Sequence, residues 1–307
     1  MRVEDWASFD FSYSLDLRSL VPHILALEQY KAAALSPVLP PHWLEVSQPP
    51  TGDESGAADP PVWGALRSAP SGISAAEQSA DDQAAAGARP VPVRDSSKAR
   101  AWIKHRFVPG SAPVALADIL ELHRMVAEEQ GVGGPTAGAP RTTNVEVGRE
   151  LVGGVHQGAP ARRLPQLMVE YVSFIDREDL RSLPPVIHAL IAHFFLDTIH
   201  PFVDGNGRTS RLLAAAILSR HGYNVHGTYG LIRCFYRHEL RYHTMLHRIW
   251  QCCPFAVTSF VAFGIEGFVL ELKSVDTFIK MKLNRLRAPE LRTPGLRRRI
   301  RAGPRGL

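Results

Sequence analysis

The most constraining feature of the sequence is a long apolar run, PPVIHALIAHFFLDTI, which covers residues 184–199. Its apolar side chains occupy every face of a helix instead of one stripe, which is the pattern of a helix enclosed by other elements. Pro201 cannot continue the helical hydrogen-bond ladder, so the helix is predicted to end at His200. We therefore expect a fold built around a central helix, with an imidazole where that helix meets a loop.

Further helices are predicted on both sides of this run. Segments with helical spacing, separated by Gly or Pro signals, cover residues 11–30, 98–107, 114–130, 165–175, 206–221, 231–249 and 255–272. Residues 143–164 differ, because β-branched residues alternate with polar ones around Gly153 and Gly154, which is typical of a small hairpin. The predicted fold class is mainly α, a helical core with one β-hairpin.

Composition divides the chain into four predicted parts. Residues 49–97 are rich in Ala, Gly, Pro, Ser and Asp and are interpreted as a flexible linker or irregular loop. An N-terminal helical region, residues 1–48, precedes this linker, and a core domain, residues 98–272, follows it. Residues 273–307 are interpreted as a C-terminal helix and a basic tail. We do not expect the tail to bind nucleic acid, because its prolines favour a solvated end.

Composition also excludes several classes of protein. The chain has 307 residues, of which 45% are apolar, so it can bury a sizeable core. No uncharged apolar run is long enough for a membrane span, and the acidic start MRVEDWASFD is unlike a signal peptide, so a cytoplasmic protein without a membrane partner is expected. Cys234, Cys252 and Cys253 are interpreted as reduced thiols, since the adjacent pair is badly spaced for zinc.

The segment after the central helix, HPFVDGNGRTSR at residues 200–211, carries the chemistry. Asp204 is a hard oxygen ligand suited to Mg²⁺. Gly205 and Gly207 allow backbone amides to approach an anion, and Asn206 is a strong N-cap for the helix that follows. The amino end of that helix favours a phosphate.

Two arginines and a histidine complete the set. Arg208 and Arg211 share one face of the following helix and can make bidentate phosphate contacts. His200 is suited to accept a proton from a hydroxyl group as it attacks phosphorus. Together these groups predict phosphoryl or nucleotidyl transfer.

HPFVDGNGRTSR resembles the Fic motif, HPFx(D/E)GN(G/K)RxxR, at every defining position. The flanking strings AHFFLDTIHPF, ILELHRMV, RLPQLMVEYVSFID and HELRYHTML also resemble Fic-core helices, and the resemblance covers roughly residues 98–270. It implies that His200 is the base and that Asp204 holds Mg²⁺ on ATP. It also implies that the triphosphate is contacted by Gly205, Asn206, Gly207, Arg208 and Arg211.

The resemblance further implies a protein adenylyltransferase. Family members with Lys at the position of Gly207 transfer the terminal phosphate, so Gly207 favours transfer of AMP with release of pyrophosphate. The acceptor would be a Ser, Thr or Tyr hydroxyl of a protein, either another protein or this chain itself. The hairpin resembles the family's flap, which receives the target by strand addition; its candidate target-binding residues are Asn144, Val145, Val155 and His156.

Some assignments stay open in the sequence. Tyr242 and His243 are candidate base-pocket residues, although core packing explains them equally well. His193 and Asp197 are interpreted as core groups near the site, with a metal site as the alternative. GNGRTS lacks the lysine of a P-loop and does not follow a strand.

The sequence also leaves alternatives for how the activity is inhibited and for which group is transferred. Many Fic proteins carry an inhibitory helix, (S/T)xxxE(G/N), whose glutamate pairs with the last arginine of the motif, here Arg211. The nearest strings are TTNVEV at 142–147 and AFGIEG at 262–267, and neither is complete. The chain is thus uninhibited, or controlled by a degenerate element, or controlled by a separate antitoxin-like inhibitor. Alternative functions are UMP or phosphate transfer, or a catalytically silent binding protein.

Overall fold

The computed structural model describes residues 3–34, 97–129, 134, 136–149, 154–223, 235, 238–252 and 254–287. The helices, in chain order, are α1 Leu17–Ala34, α2 Ser97–Arg106, α3 Leu116–Glu129, α4 Leu164–Ile175, α5 Glu178–Arg181, α6 Pro185–Ile199, α7 Asn206–Arg220, α8 Glu239–Trp250 and α9 Thr258–Arg287. The strands are β1 Tyr13–Ser14, β2 Glu146–Arg149, β3 Gly154–Gln157 and β4 Phe255–Ala256.

The predicted central helix is confirmed as α6. Every residue from Val186 to Ile199 is buried, because α7, α4 and α9 pack around the helix. Gly264 of α9 permits a close approach, since a Cβ there would lie 2.3 Å from Leu190 Cδ2 of α6. The core is thus organised around the helix that presents His200.

The mainly α class with one hairpin is also confirmed. Strands β2 and β3 pair antiparallel, with Glu146 opposite Gln157 and Val147 opposite His156. A second small pairing was not expected from the sequence: β1 runs parallel to β4, with Tyr13 opposite Phe255. Such a pairing joins residues far apart in the chain and leaves no local sequence pattern.

The N-terminal segment packs on the same core as the later helices. Helix α1 lies along α9, with Leu20 and Leu27 fully buried, and Trp6 is buried ahead of it. Helix α9 continues to Arg287. The predicted boundary between the core domain, residues 98–272, and the C-terminal helix that follows it therefore falls inside one helix. Residues 49–96, Cys234, Cys253 and the basic tail from 288 lie outside the described residues. In the described part, no helix has the length and apolar character needed to cross a membrane.

Candidate active site

His200 occupies the junction between α6 and the motif loop, as predicted. Its backbone is left-handed, with φ 53° and ψ 60°, and its N–H donates to the Leu196 carbonyl at 3.0 Å. The ring Nδ1 lies 3.3 Å from the Asp197 carbonyl oxygen. Because a carbonyl can only accept, Nδ1 carries the proton and the basic lone pair is on Nε2. Burial lowers the pKa of His200 and so favours the neutral ring. The Asp197 carboxylate acts in the opposite direction, but its effect is the smaller one.

The motif loop is fixed by a second histidine, His123 of α3. Its ring is stacked on Phe202, with centroids 3.7 Å apart and an interplanar angle of 2°. The Gly138 N–H donates to Nδ1 at 3.0 Å, so Nε2–H donates to the Asp204 carbonyl, also at 3.0 Å. Burial lowers the pKa of His123, so the neutral ring needed for both bonds is favoured.

Asn206 closes the loop from within. Its Oδ1 accepts the Phe202 N–H at 2.8 Å and its Nδ2 donates to the Phe202 carbonyl at 2.9 Å. The residue is 2% exposed. Asn206 is the first residue of α7 and Gly205, at φ 77°, is its cap, so Asn206 does not act as the N-cap that the sequence analysis expected. Its amide shapes the loop because both polar atoms are bound to Phe202.

Charged side chains converge on the amino end of α7. The Asp204 side chain is 71% exposed; its Oδ1 accepts the Gly205 N–H at 2.6 Å, and its Oδ2 lies 3.6 Å from Arg208 Nη2. Arg211 is 9% exposed, and its Nη1 lies 3.1 Å from where a Cβ on Gly207 would be. The guanidinium therefore lies beside the first turn of the helix, whose amide N–H groups lack intrahelical acceptors. Such an arrangement of amides and guanidinium groups is suited to a polyanion.

The residues present fit a magnesium ion that arrives with a nucleotide. Among the described residues, no cluster of three or more His, Cys, Asp or Glu side chains could hold a metal. Mg²⁺ on a nucleotide needs only one or two carboxylates, because phosphates and water supply the other ligands. The exposed carboxylate of Asp204, beside the polyanion site, meets that requirement.

A buried hydrogen-bond network supports α6 behind the site. The Tyr242 hydroxyl donates to Asp197 Oδ2 at 3.1 Å and lies 2.8 Å from His193 Nε2. Burial lowers the pKa of His193 to about 4, so the ring is neutral. Tyr242 is 3% exposed, and His243 packs edge-on against it at 5.1 Å. His193 and Asp197 thus lie where the core interpretation puts them, and Tyr242 belongs to the same network.

The four candidate target-binding residues of the flap differ from one another in their surroundings. Asn144 Oδ1 accepts the Ala161 N–H at 2.9 Å, and the Val145 carbonyl accepts the Gly158 N–H at 3.1 Å. His156 is fully buried, so its ring cannot face a target in this conformation. Strand β3 includes Val155, whose side chain lies outside the described residues.

Comparison with known proteins assigns the central part of the chain to a family. Residues 113–218 match the model of the Fic/DOC family, and this range includes His200, Asp204 and both arginines. The chain contains a Fic domain. The fold agrees, because the chain resembles a Fic family protein from Desulfovibrio desulfuricans G20 with a TM-score of 0.57, at 17% identity, over 89% of this chain and 78% of that one.

Curated relatives of the Fic domain carry an activity in their names. The chain is 43% identical to "Protein adenylyltransferase Fic" of Drosophila grimshawi over 111 residues, which is 36% of this chain and 21% of that protein. It is 40% identical to "Protein adenylyltransferase fic-1" of Caenorhabditis briggsae over 111 residues, with 36% and 20% covered. The chain thus spans about a fifth of the length of these relatives.

Arg141 is a residue of the Fic domain that the sequence analysis missed. It is 3% exposed, and its guanidinium donates to the His200 carbonyl at 2.8 Å, to the Thr143 carbonyl at 2.6 Å and to the Ala159 carbonyl. Its backbone N–H donates to the Pro201 carbonyl at 2.9 Å. One side chain therefore ties the flap to the motif loop. No local pattern identifies such a residue, because its acceptors come from three separate segments.

The two incomplete inhibitory strings are engaged elsewhere in the Fic domain and its flank. Glu266 of AFGIEG lies on α9, where its carboxylate is 3.1 Å from His23 Nε2 of α1. Glu146 of TTNVEV lies on β2 and accepts a hydrogen bond from the Gln157 side chain at 2.6 Å. The three alternatives for the control of Arg211, namely no inhibition, a degenerate element or a separate antitoxin-like inhibitor, stay predictions from the sequence.

Proposed function

We propose that the Fic domain transfers AMP from Mg-ATP to a Ser, Thr or Tyr hydroxyl of a protein. The observation that carries this proposal is the relation of His200 to α7. The imidazole has its lone pair on Nε2, and the loop that follows leads directly into a helix end with an exposed carboxylate and two arginines. A general base beside a polyanion site is the arrangement that nucleotidyl transfer requires.

The names of the relatives support the same reaction. Proteins named as adenylyltransferases are 40% to 43% identical to this chain over 111 residues. The motif residues His200, Asp204, Arg208 and Arg211 all lie within residues 113–218, where the family model matches.

The proposed mechanism follows from the positions of these side chains. His200 Nε2 takes the hydroxyl proton while the hydroxyl oxygen attacks the α-phosphorus. A new P–O bond forms to the acceptor, the bond between the α-phosphorus and its bridging oxygen breaks, and pyrophosphate leaves. Arg208, Arg211 and the first amides of α7 stabilise the negative charge that accumulates on the phosphates. Mg²⁺ held by Asp204 would neutralise part of that charge.

Gly207 supports AMP transfer in preference to phosphate transfer. A Cβ at this position would lie 3.1 Å from Arg211 Nη1, so a longer side chain would displace the guanidinium from the first turn of α7. In the Fic motif, which this chain resembles, lysine at this position goes with transfer of the terminal phosphate, so glycine favours transfer of AMP.

The proposal is tested with ATP labelled at either the α or the γ phosphate, incubated with Mg²⁺ and lysate protein, and the label that lysate incorporates without this chain is subtracted. We expect the α label to enter protein, the γ label to stay in solution, and His200→Ala to abolish transfer. His105→Ala is the matched control, because His105 is an exposed histidine on α2. Incorporation of the γ label would identify a phosphotransferase, and absence of any transfer would support a silent binding protein. The cytoplasmic location and the separate antitoxin-like inhibitor stay predictions from the sequence.

A further inference from the structure

The first residues of the chain contact the flap directly. Trp6 lies in a short 3₁₀ turn, Val3–Ala7, and is fully buried. Its indole Nε1–H donates to the Gln157 carbonyl of β3 at 2.9 Å. The Trp6 carbonyl in turn accepts a hydrogen bond from Arg163, which follows the flap. The N-terminal turn therefore binds both the last residue of β3 and the segment that leads away from it.

A second tryptophan holds the same strand to the core. The ring of His156 stacks on Trp250 with centroids 3.9 Å apart and lies 6.2 Å from the ring of Trp6. His156 Nε2–H donates to the Thr198 carbonyl at 2.8 Å, and Trp250 Nε1–H donates to Thr198 Oγ1 at 2.9 Å. Strand β3 is thus fixed by Trp250 and Thr198 on the core and by Trp6 from the N-terminal segment.

The position of Trp6 is itself fixed by the residues that follow it. Phe9 packs on Trp6 at 4.6 Å, and Phe11 stacks on Phe174 of α4 at 4.8 Å. Strand β1 then pairs with β4, with the Val257 N–H donating to the Ser14 carbonyl at 3.1 Å. We call residues 3–14 the N-terminal arm. Its aromatic rings and its strand hold it to α4 and β4.

The flap needs such support for a physical reason. Within the described residues, the sheet that contains the flap has two strands, β2 and β3. A two-stranded hairpin is marginally stable on its own in water, so packing against other elements decides whether its edge is ordered. Strand addition by a target requires an ordered edge with a fixed register.

We propose that Trp6 is a positioning residue for the flap, and that the N-terminal arm sets the register in which the flap presents its edge to a protein acceptor. This inference rests on the proposed function and on the expectation, from the resemblance to Fic proteins, that the flap receives the acceptor. The arm lies outside residues 113–218, where the Fic family model matches. The arm is thus separate from the segment that carries the motif, and it acts on the acceptor and leaves the nucleotide site unchanged.

Trp6→Phe provides the sharpest test, since it keeps an aromatic ring in the core but removes the donor to Gln157. We expect hydrogen exchange to become at least about fivefold faster at the amides of residues 145–149 and 154–158, because the hydrogen bond from the indole to the Gln157 carbonyl is lost. Exchange in α6 and α7 should match the unmodified protein. Trp102→Phe is the control, because Trp102 is a partly buried tryptophan of α2 whose ring packs on Phe107 of the same segment at 5.5 Å.

Two activity measurements complete the test. Calorimetric titration with Mg-ATP should give the same Kd for Trp6→Phe and the unmodified protein, whereas transfer of α label to protein should fall about tenfold, as expected when register is lost. Unchanged flap exchange in both Trp6→Phe and Trp6→Ala would overturn the inference, as would a matching fall in Mg-ATP affinity. If the unmodified protein transfers no label, the proposed function fails, and the exchange experiment still decides whether Trp6 orders the flap.

Discussion

At the scale of single residues, the conformation of His200 depends on its neighbours. A non-glycine residue at φ 53° is held in a sparsely populated region, and such strain persists only where surrounding contacts enforce it. Arg141 fixes the backbone at and after His200, through its guanidinium to the His200 carbonyl and through its N–H to the Pro201 carbonyl. The Ala159 N–H binds the Ile199 carbonyl at 3.0 Å. The imidazole is therefore oriented before any substrate arrives.

The lowered pKa of His200 gives a prediction for the pH profile. A base must be neutral, and burial moves the pKa of this ring below its ordinary value of 6.5. We expect kcat/KM for label transfer to rise with pH through an acid limb whose midpoint lies below 6.5, and then to level off, because kcat/KM reports the free enzyme. A steady-state pH profile measures this, and an acid limb centred above 6.5 would contradict it.

Arg141→Lys tests the tie between flap and motif. A lysine cannot reproduce a planar fork that reaches three carbonyls, so buried acceptors lose their donors. We expect the free energy of unfolding to fall by about 2–5 kcal/mol and kcat to fall about tenfold or more.

Arg220→Lys is the matched control, because Arg220 Nε also donates to a backbone carbonyl, that of Ser111, at 2.8 Å. Urea unfolding and label transfer should show a smaller loss of stability and an unchanged kcat for this variant. Equal effects of the two substitutions on kcat would reduce Arg141 to a general structural role.

At the scale of elements, the sequence predicts well what local signals determine. The apolar run identifies α6, Pro201 identifies its end, and the glycines identify the turn into α7. The contacts of Arg141 with His200, of His123 with Asp204 and of Trp6 with Gln157 were not predictable, because each joins segments distant in the chain. Strand alternation likewise cannot reveal that His156 is buried against Trp250.

The contact between α6 and α9 gives a prediction of its own. A Cβ on Gly264 would lie 2.3 Å from Leu190 Cδ2 and 2.7 Å from Cδ1, within a packed core. We expect Gly264→Ala to lower the free energy of unfolding by about 1–3 kcal/mol through overpacking. Denaturant unfolding of Gly264→Ala with and without Leu190→Ala provides the control, because the penalty should shrink when the opposing side chain is removed. An undiminished penalty would show that helix curvature, and not this contact, is responsible.

At the scale of the whole molecule, three buried histidines couple folding to pH. Burial lowers the pKa of His156 to about 3 and of His188 and His193 to about 4. Each has a backbone carbonyl or hydroxyl partner at 2.8 to 2.9 Å within the core. These rings are neutral in the folded chain over a pH range in which the unfolded chain is protonated.

The sign of the pH dependence of stability follows. Above about 6.5 both states are neutral and the histidines contribute no pH dependence. Between about 6.5 and 4 the unfolded chain binds more protons, so stability falls as pH falls, by at most about 1.4 kcal/mol per pH unit for each histidine. Urea unfolding measures the slope at about pH 6 and 5, inside this window, with about pH 7.5 as the reference above it. A free energy of unfolding that stays constant or increases between about pH 6.5 and 5 would contradict the buried neutral state.

The most direct measurement of the central claim is a crystal structure with Mg²⁺ and a non-hydrolysable ATP analogue. We expect the α-phosphate beside His200 Nε2, the β and γ phosphates at the amino end of α7 with Arg211, and the magnesium on Asp204. A nucleotide bound in reverse, with the γ-phosphate beside His200, would contradict AMP transfer, and a nucleotide bound away from α7 would contradict the site itself.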